Sequence, residues 1–424
     1  MRPWLALGLL LGCGKKTPPV APAETVVNAP TEGTFDPNAP LADKLALAIE
    51  KIQSGTVDDL TLAVAILTQC LPEDPGGATE LNLGIALQKL GKLAEAVPRY
   101  DTVLAMHPDW AEAWVYKGSA LEQLDRPNQA VSVYRDALGV DSENMGARVA
   151  LIQVLRTLGR PDDAIAEAKA ALKVNASSLP VYNNFALAYL DKGEMTLARF
   201  ILQKALQSVE GASANAYLHT NLGWSHYLDG NKPAAIQSLL KAVELEPDLV
   251  PALVYLATVY LEDRNYGDMI PLLETALKQD PDNPDVHLNL GIAYRGMERF
   301  DEAKQAYETA LKLAPESPDP WFNLGILLGD SLKEYEASVA AFNRYLDAGG
   351  AEPERAQTYI AAVNKERETA ERRAKAEAAR KQRELERQRE QELLRQTEGD
   401  ATAEPPPTEA PDEAPPPDPQ EETP

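Results

Sequence analysis

The segments LGWSHYLDG (Leu222–Gly230), LATVYLEDR (Leu256–Arg264) and LGIAYRGME (Leu290–Glu298) start 34 residues apart, and they decide the fold of this chain. Small residues recur with the same step, at Ala242, Ala276 and Ala310. Prolines follow them with the same step, at Pro247, Pro281 and Pro315. This spacing is a repeat period, and a period of this length is typical of proteins built from stacked structural units.

Each unit is predicted to contain two helices. In the unit that contains Gly291, apolar residues fall on one face of the first helix, and the second helix is predicted over Phe300–Leu313. We expect the small residues Ala303 and Ala310 to lie against Gly291, with Tyr307 filling the remaining gap. A proline after the second helix prevents its extension, so the chain turns into the next unit.

The pattern W-x2-L-G-x2-Y, followed by A-x3-F, A and P, resembles the tetratricopeptide repeat. It is carried by Trp321 with Leu324-Gly325, and by Leu290-Gly291 with Tyr294. The resemblance implies an all-α fold, a right-handed superhelical solenoid. Pairs of helices stack in such a solenoid because no pair can bury its apolar face alone.

Eight clear units begin near Gly77, Ala111, Met145, Leu179, Ala216, Val250, Pro284 and Pro318. With a divergent first pair at 41–76, the solenoid is predicted to span 41–351 and to contain about nine helix pairs. Ile152 replaces the small residue of the first helix in its unit, and we expect it to loosen or rotate that pair. Extra residues near Ser208–Asn215 and in Gly329–Glu334 predict two bulges.

Two C-terminal segments follow the repeats. Residues 352–397 are predicted to form a capping and charged helix, in which opposite charges three and four apart support the helix. A sustained apolar stripe is missing from this segment, which disfavours a coiled coil. Residues 398–424 hold nine acidic residues and no basic one, with many prolines, and predict a disordered tail.

The N-terminus resembles the signal of a bacterial lipoprotein. Residues 1–13 place a basic residue and a short apolar run before Leu10-Leu11-Gly12-Cys13, which resembles the lipobox, although Leu11 is larger than usual there. The resemblance implies cleavage before Cys13, acylation of its sulfur and anchoring on a membrane surface. Residues 14–40 are proline-rich and predict a flexible tether. The alternative is a soluble cytosolic adaptor or regulator whose apparent signal is a chance apolar start.

Catalysis and cofactor binding are not expected. The formal net charge of −24 argues against nucleic acid as a partner, because phosphate binding needs clustered cations. The four histidines are not accompanied by a cysteine or carboxylate set that would complete a metal site. No phosphate-binding loop or nucleophile motif occurs, so neither an enzyme activity nor a small-molecule substrate is predicted. Cys70 is predicted to be a small buried apolar residue.

The first helices are predicted to line a groove that binds partner proteins or extended peptide segments. Asparagine and tyrosine recur at one groove position, at Asn82, Tyr116, Asn184, Asn221, Tyr255, Asn289 and Asn323. Asparagine both donates and accepts hydrogen bonds, which suits the backbone of a peptide, but it is also a common residue at this position in the family. Tyr217, Trp224 and Tyr227 add an aromatic patch at neighbouring positions, with core packing as the alternative role for Trp224.

The sequence thus predicts a membrane-anchored interaction scaffold of the bacterial cell envelope, with envelope proteins as its partners. The lipoprotein signal favours the periplasmic face of the outer membrane. Resemblance to tetratricopeptide lipoproteins points to a motility, pilus or envelope-assembly machine, and most closely to the gliding-motility group. The partner, the pathway and the oligomeric state do not follow from the sequence.

Overall fold

The computed structural model describes residues 36–74 and 76–401. The predicted signal and Cys13 at 1–13, most of the tether at 14–40 and most of the tail at 398–424 lie outside the described residues.

The described chain is built from helices. The α-helices are α1 (Leu41–Ser54), α2 (Val57–Cys70), α3 (Ala78–Lys89), α4 (Leu93–Met106), α5 (Ala111–Gln123), α6 (Pro127–Val140), α7 (Met145–Thr157), α8 (Pro161–Val174), α9 (Leu179–Asp191), α10 (Met195–Ser208), α11 (Ala216–Leu228), α12 (Lys232–Leu245), α13 (Val250–Glu262), α14 (Tyr266–Gln279), α15 (Pro284–Gly296), α16 (Phe300–Leu313), α17 (Pro318–Ile326), α18 (Tyr335–Asp347) and α19 (Pro353–Ala401). Within residues 36–74 and 76–401 there is no strand. The predicted all-α class is confirmed, with nine helix pairs from α1 to α18 and a long charged helix after them.

The chain divides into two compact units, and the division falls within α17, between Asn323 and Leu324. In the first unit the consecutive helices from α1 to α16 pack on one another, so the pairs stack in sequence. Apolar clusters run across neighbouring pairs, as in the cluster that joins α5 to α9. A pair therefore completes its core only with its neighbours.

The closest contact within a pair is made by a large side chain of the second helix, not by its alanines. A Cβ atom added to Gly84 would lie 2.6 Å from Cε1 of Tyr100, and Tyr100 is buried. Gly291 has the same relation to Tyr307. The ring of Tyr307 fills the space beside Gly291, as the sequence predicts.

The volume at this contact is divided differently in other pairs. Where the first helix carries Ala186 instead of glycine, the second helix carries Leu202 at the tyrosine position, and both are fully buried. Where the first helix carries Ile152, the second helix carries Ala168, and both are again fully buried in one cluster. A small partner thus compensates for Ile152, and the bulk has moved from one helix to the other.

The turn between the two helices of a pair places one residue in the left-handed backbone region. Glycine occupies that position in five pairs, with φ between 67° and 78°, at Gly55, Gly91, Gly159, Gly193 and Gly230. Other pairs have Asp125, Arg264, Glu298 and Lys333 there, with φ between 54° and 60°. The same turn therefore forms without glycine, at a cost in backbone strain for each L-residue.

Both predicted insertions appear as local changes of helix type. The extra residues after α10 form a short 3₁₀ helix, Ala212–Ala214, preceded by Gly211 in the left-handed region. In the second unit, the extra residue after α17 is taken up by a π-helix, Leu327–Ser331. A π-helical turn accommodates one inserted residue without ending the helix, so the residues that follow keep their register.

In the second unit, the start of α19 packs on α18. The rings of Phe342 and Tyr359 stack with their centroids 5.4 Å apart, and Val363 is buried. From Glu371 to Arg395 every residue of α19 is exposed. Ion pairs four residues apart, such as Lys381 with Glu377 at 3.2 Å, run along this part of the helix.

No helix among the described residues combines the length and the apolar character that crossing a membrane requires.

The divergent first pair buries the residues predicted for its core. Ala63 and Leu67 are fully buried on α2. Cys70 is a free, fully buried cysteine, and desolvation raises the pKa of its thiol. This burial confirms Cys70 as a small apolar core residue.

We predict that Gly84→Ala lowers the free energy of unfolding by about 1–3 kcal/mol, because the added methyl group overlaps the ring of Tyr100. The double variant Gly84→Ala/Tyr100→Leu recovers part of that loss, since alanine faces leucine in the pair of Ala186 and Leu202. The recovery is incomplete, because a Cβ atom added to Gly223 would lie 2.6 Å from Cγ of the leucine that faces it, Leu239. Urea-induced unfolding followed by circular dichroism measures both effects.

Gly139 supplies the matched control. It is an exposed residue of α6, and a Cβ atom added there meets nothing within 4 Å. Gly139→Ala therefore gains up to about 1 kcal/mol from helix propensity alone. A loss of stability in Gly139→Ala similar to that in Gly84→Ala would contradict the role of the ring contact.

Candidate functional site

One continuous face of the first unit is formed by the odd-numbered helices. α5, α7, α9, α11 and α13 contact one another in succession, whereas consecutive even-numbered helices approach each other less closely. We call the side of the first unit lined by the odd-numbered helices the inner face. It presents the groove positions that the repeat pattern predicted.

The centre of the inner face carries an aromatic cluster formed by Trp224, Tyr227 and Tyr255. The ring of Trp224 stacks on Tyr255 with centroids 4.2 Å apart and planes at 15°, and on Tyr227 with centroids 4.9 Å apart. Trp224 is half-buried, whereas each tyrosine is 9% exposed. Two neighbouring helices, α11 and α13, thus hold one indole ring rigidly at the surface.

Hydrogen bonds fix the tyrosines of the aromatic cluster. The hydroxyl of Tyr227 donates to Oε1 of Glu262 at 2.8 Å, and Lys232 forms an ion pair with Glu262 at 2.8 Å. Burial, with a further contribution from Glu262, raises the pKa of Tyr227. Burial also raises the pKa of Tyr255 to about 12. Both phenols are therefore neutral hydrogen-bonding groups at physiological pH.

A polar group of α7 and α9 lies in electrostatic range of the cluster. Arg156 donates from Nε to Oδ2 of Asp191 at 2.7 Å, and from Nη1 to Oδ1 of Asn184 at 3.2 Å. Arg156 lowers the pKa of Tyr255 and Asp191 raises it, so both charges are near that phenol. Asn221 donates to Oδ1 of Asn183 at 2.5 Å.

The repeat pattern did not single out Arg156, Asp191 or Asn183. Arg156 occupies the same position in its repeat as Tyr227 does in α11, so a survey of charged residues at the predicted groove positions finds it. Asp191 lies one residue beyond the last such position of α9, and the repeat pattern gives no signal for it.

Three of the predicted asparagines use their amide within their own helix. Asn82, Asn184 and Asn323 donate from Nδ2 to the carbonyl oxygen four residues earlier, at distances of 2.9 to 3.0 Å. Asn221 donates across helices instead, and it is only 7% exposed. One N–H of each of these amides is thus engaged within the protein, and the carbonyl oxygen of Asn184 accepts from Arg156.

The structure brings five of the predicted residues together on α9, α11 and α13: Asn184, Asn221, Trp224, Tyr227 and Tyr255. Tyr217 lies at the start of α11 and is 47% exposed. The others lie on helices outside this group, with Asn82 on α3, Tyr116 on α5, Asn289 on α15 and Asn323 on α17. A partner-binding role for these ten residues remains a prediction.

Two of the four histidines bond to the backbone through their side chains. Nε2 of His219 lies 3.1 Å from the carbonyl oxygen of Ser213, and Nε2 of His287 lies 2.9 Å from that of Pro281. In the part of the chain that the structure describes, no group of three or more histidine, cysteine or acidic residues is placed to hold a metal ion.

Tyr255 is buried, so truncating it removes packing from the interior. We predict that Tyr255→Ala lowers the free energy of unfolding by about 3 kcal/mol or more, as for other buried aromatic residues. Trp224→Ala costs about 1–2 kcal/mol, because part of the indole is already in water. Urea unfolding compares the two, and equal losses would place Trp224 in the core.

Comparison with known proteins supports the fold. The tetratricopeptide repeat family matches residues 81–147, 124–180, 149–214 and 183–250, and a second set of this repeat matches residues 260–324. Together these matches span more than half of the chain. The comparison with curated proteins finds no match.

Solved structures of helical repeat proteins are similar. The human IFIT1 dimer with m7Gppp-AAAA has a TM-score of 0.54 and 17% identity, over 79% of this chain and 84% of that chain. The APC/C hetero-tetramer Cut9-Hcn1 has a TM-score of 0.52 and 14% identity, over 77% and 67%. The pilF protein of Pseudomonas aeruginosa has a TM-score of 0.41 and 20% identity, over 50% and 94%. At these identities the likeness concerns the fold alone. By its repeats and its stacked helix pairs, the chain belongs to the tetratricopeptide repeat proteins.

Proposed function

We propose that the inner face at α9, α11 and α13 binds an extended segment of a partner protein, with Trp224 as the anchor. The observation that carries this proposal is the half-buried indole held between two buried tyrosines. A rigid aromatic side chain with exposed surface gains contact area on binding and loses little conformational entropy. The role is binding rather than catalysis.

The charged side chains around the aromatic cluster are paired with one another, which favours contact with an uncharged part of a partner. Arg156 is paired with Asp191, and Lys232 with Glu262 and Asp263. A partner at this site therefore meets neutralised side chains, amide groups and aromatic rings. This chemistry suits apolar side chains and the peptide backbone of an extended segment.

We further propose that the protein is a lipoprotein of the bacterial envelope, anchored through acylated Cys13 on the periplasmic face of the outer membrane. The support is the lipobox-like sequence before Cys13 and the proline-rich segment after it. A surface anchor of this kind needs no spanning helix. In this setting the solenoid serves as a scaffold within a motility, pilus or envelope-assembly machine.

We predict that Trp224→Ala reduces partner capture several-fold, because it removes the anchor of the aromatic cluster. A photo-crosslinking residue at Tyr217 reports capture in living cells. Tyr217 is 47% exposed, whereas Asn221 is buried and bonded to Asn183.

Phe200 on α10 supplies the matched control for the capture experiment. It is 61% exposed and belongs to an even-numbered helix, away from the inner face. Phe200→Ala is expected to leave the crosslinked product unchanged. A product that survives Trp224→Ala, or that is lost equally in both variants, would contradict the proposed anchor.

Anchoring is tested by Cys13→Ser. We predict that the wild-type protein pellets with membranes and that the variant moves to the soluble fraction, because serine cannot carry the acyl chains. Mass spectrometry of the wild-type N-terminus is expected to show a modified Cys13 as the first residue. An unprocessed N-terminus and a wild-type protein in the cytosol would support the soluble adaptor instead.

A further inference from the structure

One face of α19 carries a row of basic side chains. Successive residues of an α-helix are rotated by about 100°, so residues 365, 372, 373, 380, 383 and 387 fall within about one third of the circumference of α19. All six are basic and exposed: Lys365, Arg372, Arg373, Arg380, Arg383 and Arg387. Every glutamate between the first and the last of them falls outside this face. We call the five arginines the arginine stripe.

Most of the arginine stripe has no counter-ion. Arg372 lies 3.7 Å from Glu368, whereas the other four arginines form no ion pair with another described residue. The other ion pairs within α19 that join residues four apart lie off this face. Arg383 follows Arg380 by three residues and precedes Arg387 by four, and like charges at these spacings destabilise a helix. An anion from outside the helix relieves this repulsion.

The chain that follows α19 supplies suitable anions. Residues 402–424, which we call the acidic tail, lie outside the described residues, and their sequence holds seven acidic residues and no basic one. At about 3.1 Å per residue, the length that proline-rich sequences favour, residues 402–414 span about 40 Å. Arg380 lies about 32 Å before the end of α19, at about 1.5 Å per helical residue. The acidic tail is therefore long enough to return along the whole distance to Arg380.

We propose that the acidic tail folds back on α19 and docks on the arginine stripe. Guanidinium groups present parallel N–H donors that match carboxylates, and the covalent link gives the tail a high effective concentration at the stripe. Four acidic residues lie within the reach of residues 402–414: Glu404, Glu409, Asp412 and Glu413. This contact lies within the second unit and does not involve the inner face. Another anion binds the stripe only by displacing the tail.

Energy transfer between two dyes measures docking in the full chain. The dyes are attached at Ala379→Cys, beside the stripe, and at Ala414→Cys, in a protein that carries Cys13→Ser and whose buried Cys70 does not react. The two sites are about 40 Å apart when the tail continues as a coil beyond α19, and within about 20 Å when it docks. With dyes that transfer efficiently only below about 30 Å, we expect efficient transfer in about 20 mM salt. We expect it to fall at least about threefold in about 500 mM salt, because salt screens the attraction.

The stripe variant Arg380→Gln/Arg383→Gln/Arg387→Gln removes three of the unpaired charges. We expect it to lower the transfer efficiency at least about threefold in about 20 mM salt, because neutral amides do not attract the carboxylates of the tail. Glutamine and arginine have similar helix propensities, so circular dichroism is expected to show the same helix content as in the wild type.

Lys375→Gln/Lys381→Gln/Arg389→Gln is the matched control. It removes the same number of positive charges from the same segment of α19, but these three residues fall outside the face of the stripe. The transfer efficiency of this control is expected to stay close to that of the wild type.

The tail variant Glu409→Gln/Asp412→Asn/Glu413→Gln leaves the sequence of α19 unchanged, and we expect it to lower the transfer efficiency as the stripe variant does. An unchanged efficiency in the tail variant, or an equal loss in the stripe variant and its matched control, would overturn the proposed docking. Energy transfer between two copies that each carry a single dye would place the tail on a second copy of the chain, and would overturn the intramolecular contact.

Discussion

The structure depends on the fixed space between the two helices of each pair. The ring of Tyr100 lies where a side chain on Gly84 would be, and a leucine with an alanine fills the same space in the pair of Ala186 and Leu202. Interiors pack densely, so the sizes of the two facing residues are linked in these pairs. Ile152 with Ala168 reverses the sizes, whereas the pair of Gly223 and Leu239 combines glycine with leucine.

This contact positions the inner face. Because the helices of each pair pack closely, successive odd-numbered helices from α1 to α15 contact one another. The cluster of Trp224, Tyr227 and Tyr255 forms across such a contact, between α11 and α13. Polar links reinforce it, since Arg156 reaches Asp191 and Tyr227 reaches Glu262 in the following repeat. Stacking therefore creates a surface that no single pair contains.

Much of the fold could be predicted from the sequence, because a 34-residue period repeats one pattern of small and large residues. The turn glycines were predictable for the same reason, and Gly159 and Gly193 take the left-handed conformation expected after a helix. The compensation of Ile152 by Ala168 was missed, because each residue was compared only with the residues at the same position of other repeats. The two residues face each other within one helix pair and had to be compared with each other.

The candidate site was less predictable, since its contacts connect different positions of neighbouring repeats. Arg156 and Asp191 are 35 residues apart, one more than the period, and so are Tyr227 and Glu262. A comparison of equivalent positions in successive repeats therefore does not reveal these two contacts. The burial of Tyr255 was also missed, because a groove position in the sequence does not show how closely the next helix approaches.

The shared volume within each pair also restricts how the gene for this protein can change. Recombination that moved a whole pair from one place in the array to another would carry its matched residues with it. An exchange of single helices would place the ring of Tyr134 against Ile152, or Ala168 against Gly118, and would produce an overlap in one case and a void in the other. The heritable unit of this solenoid is therefore the hairpin.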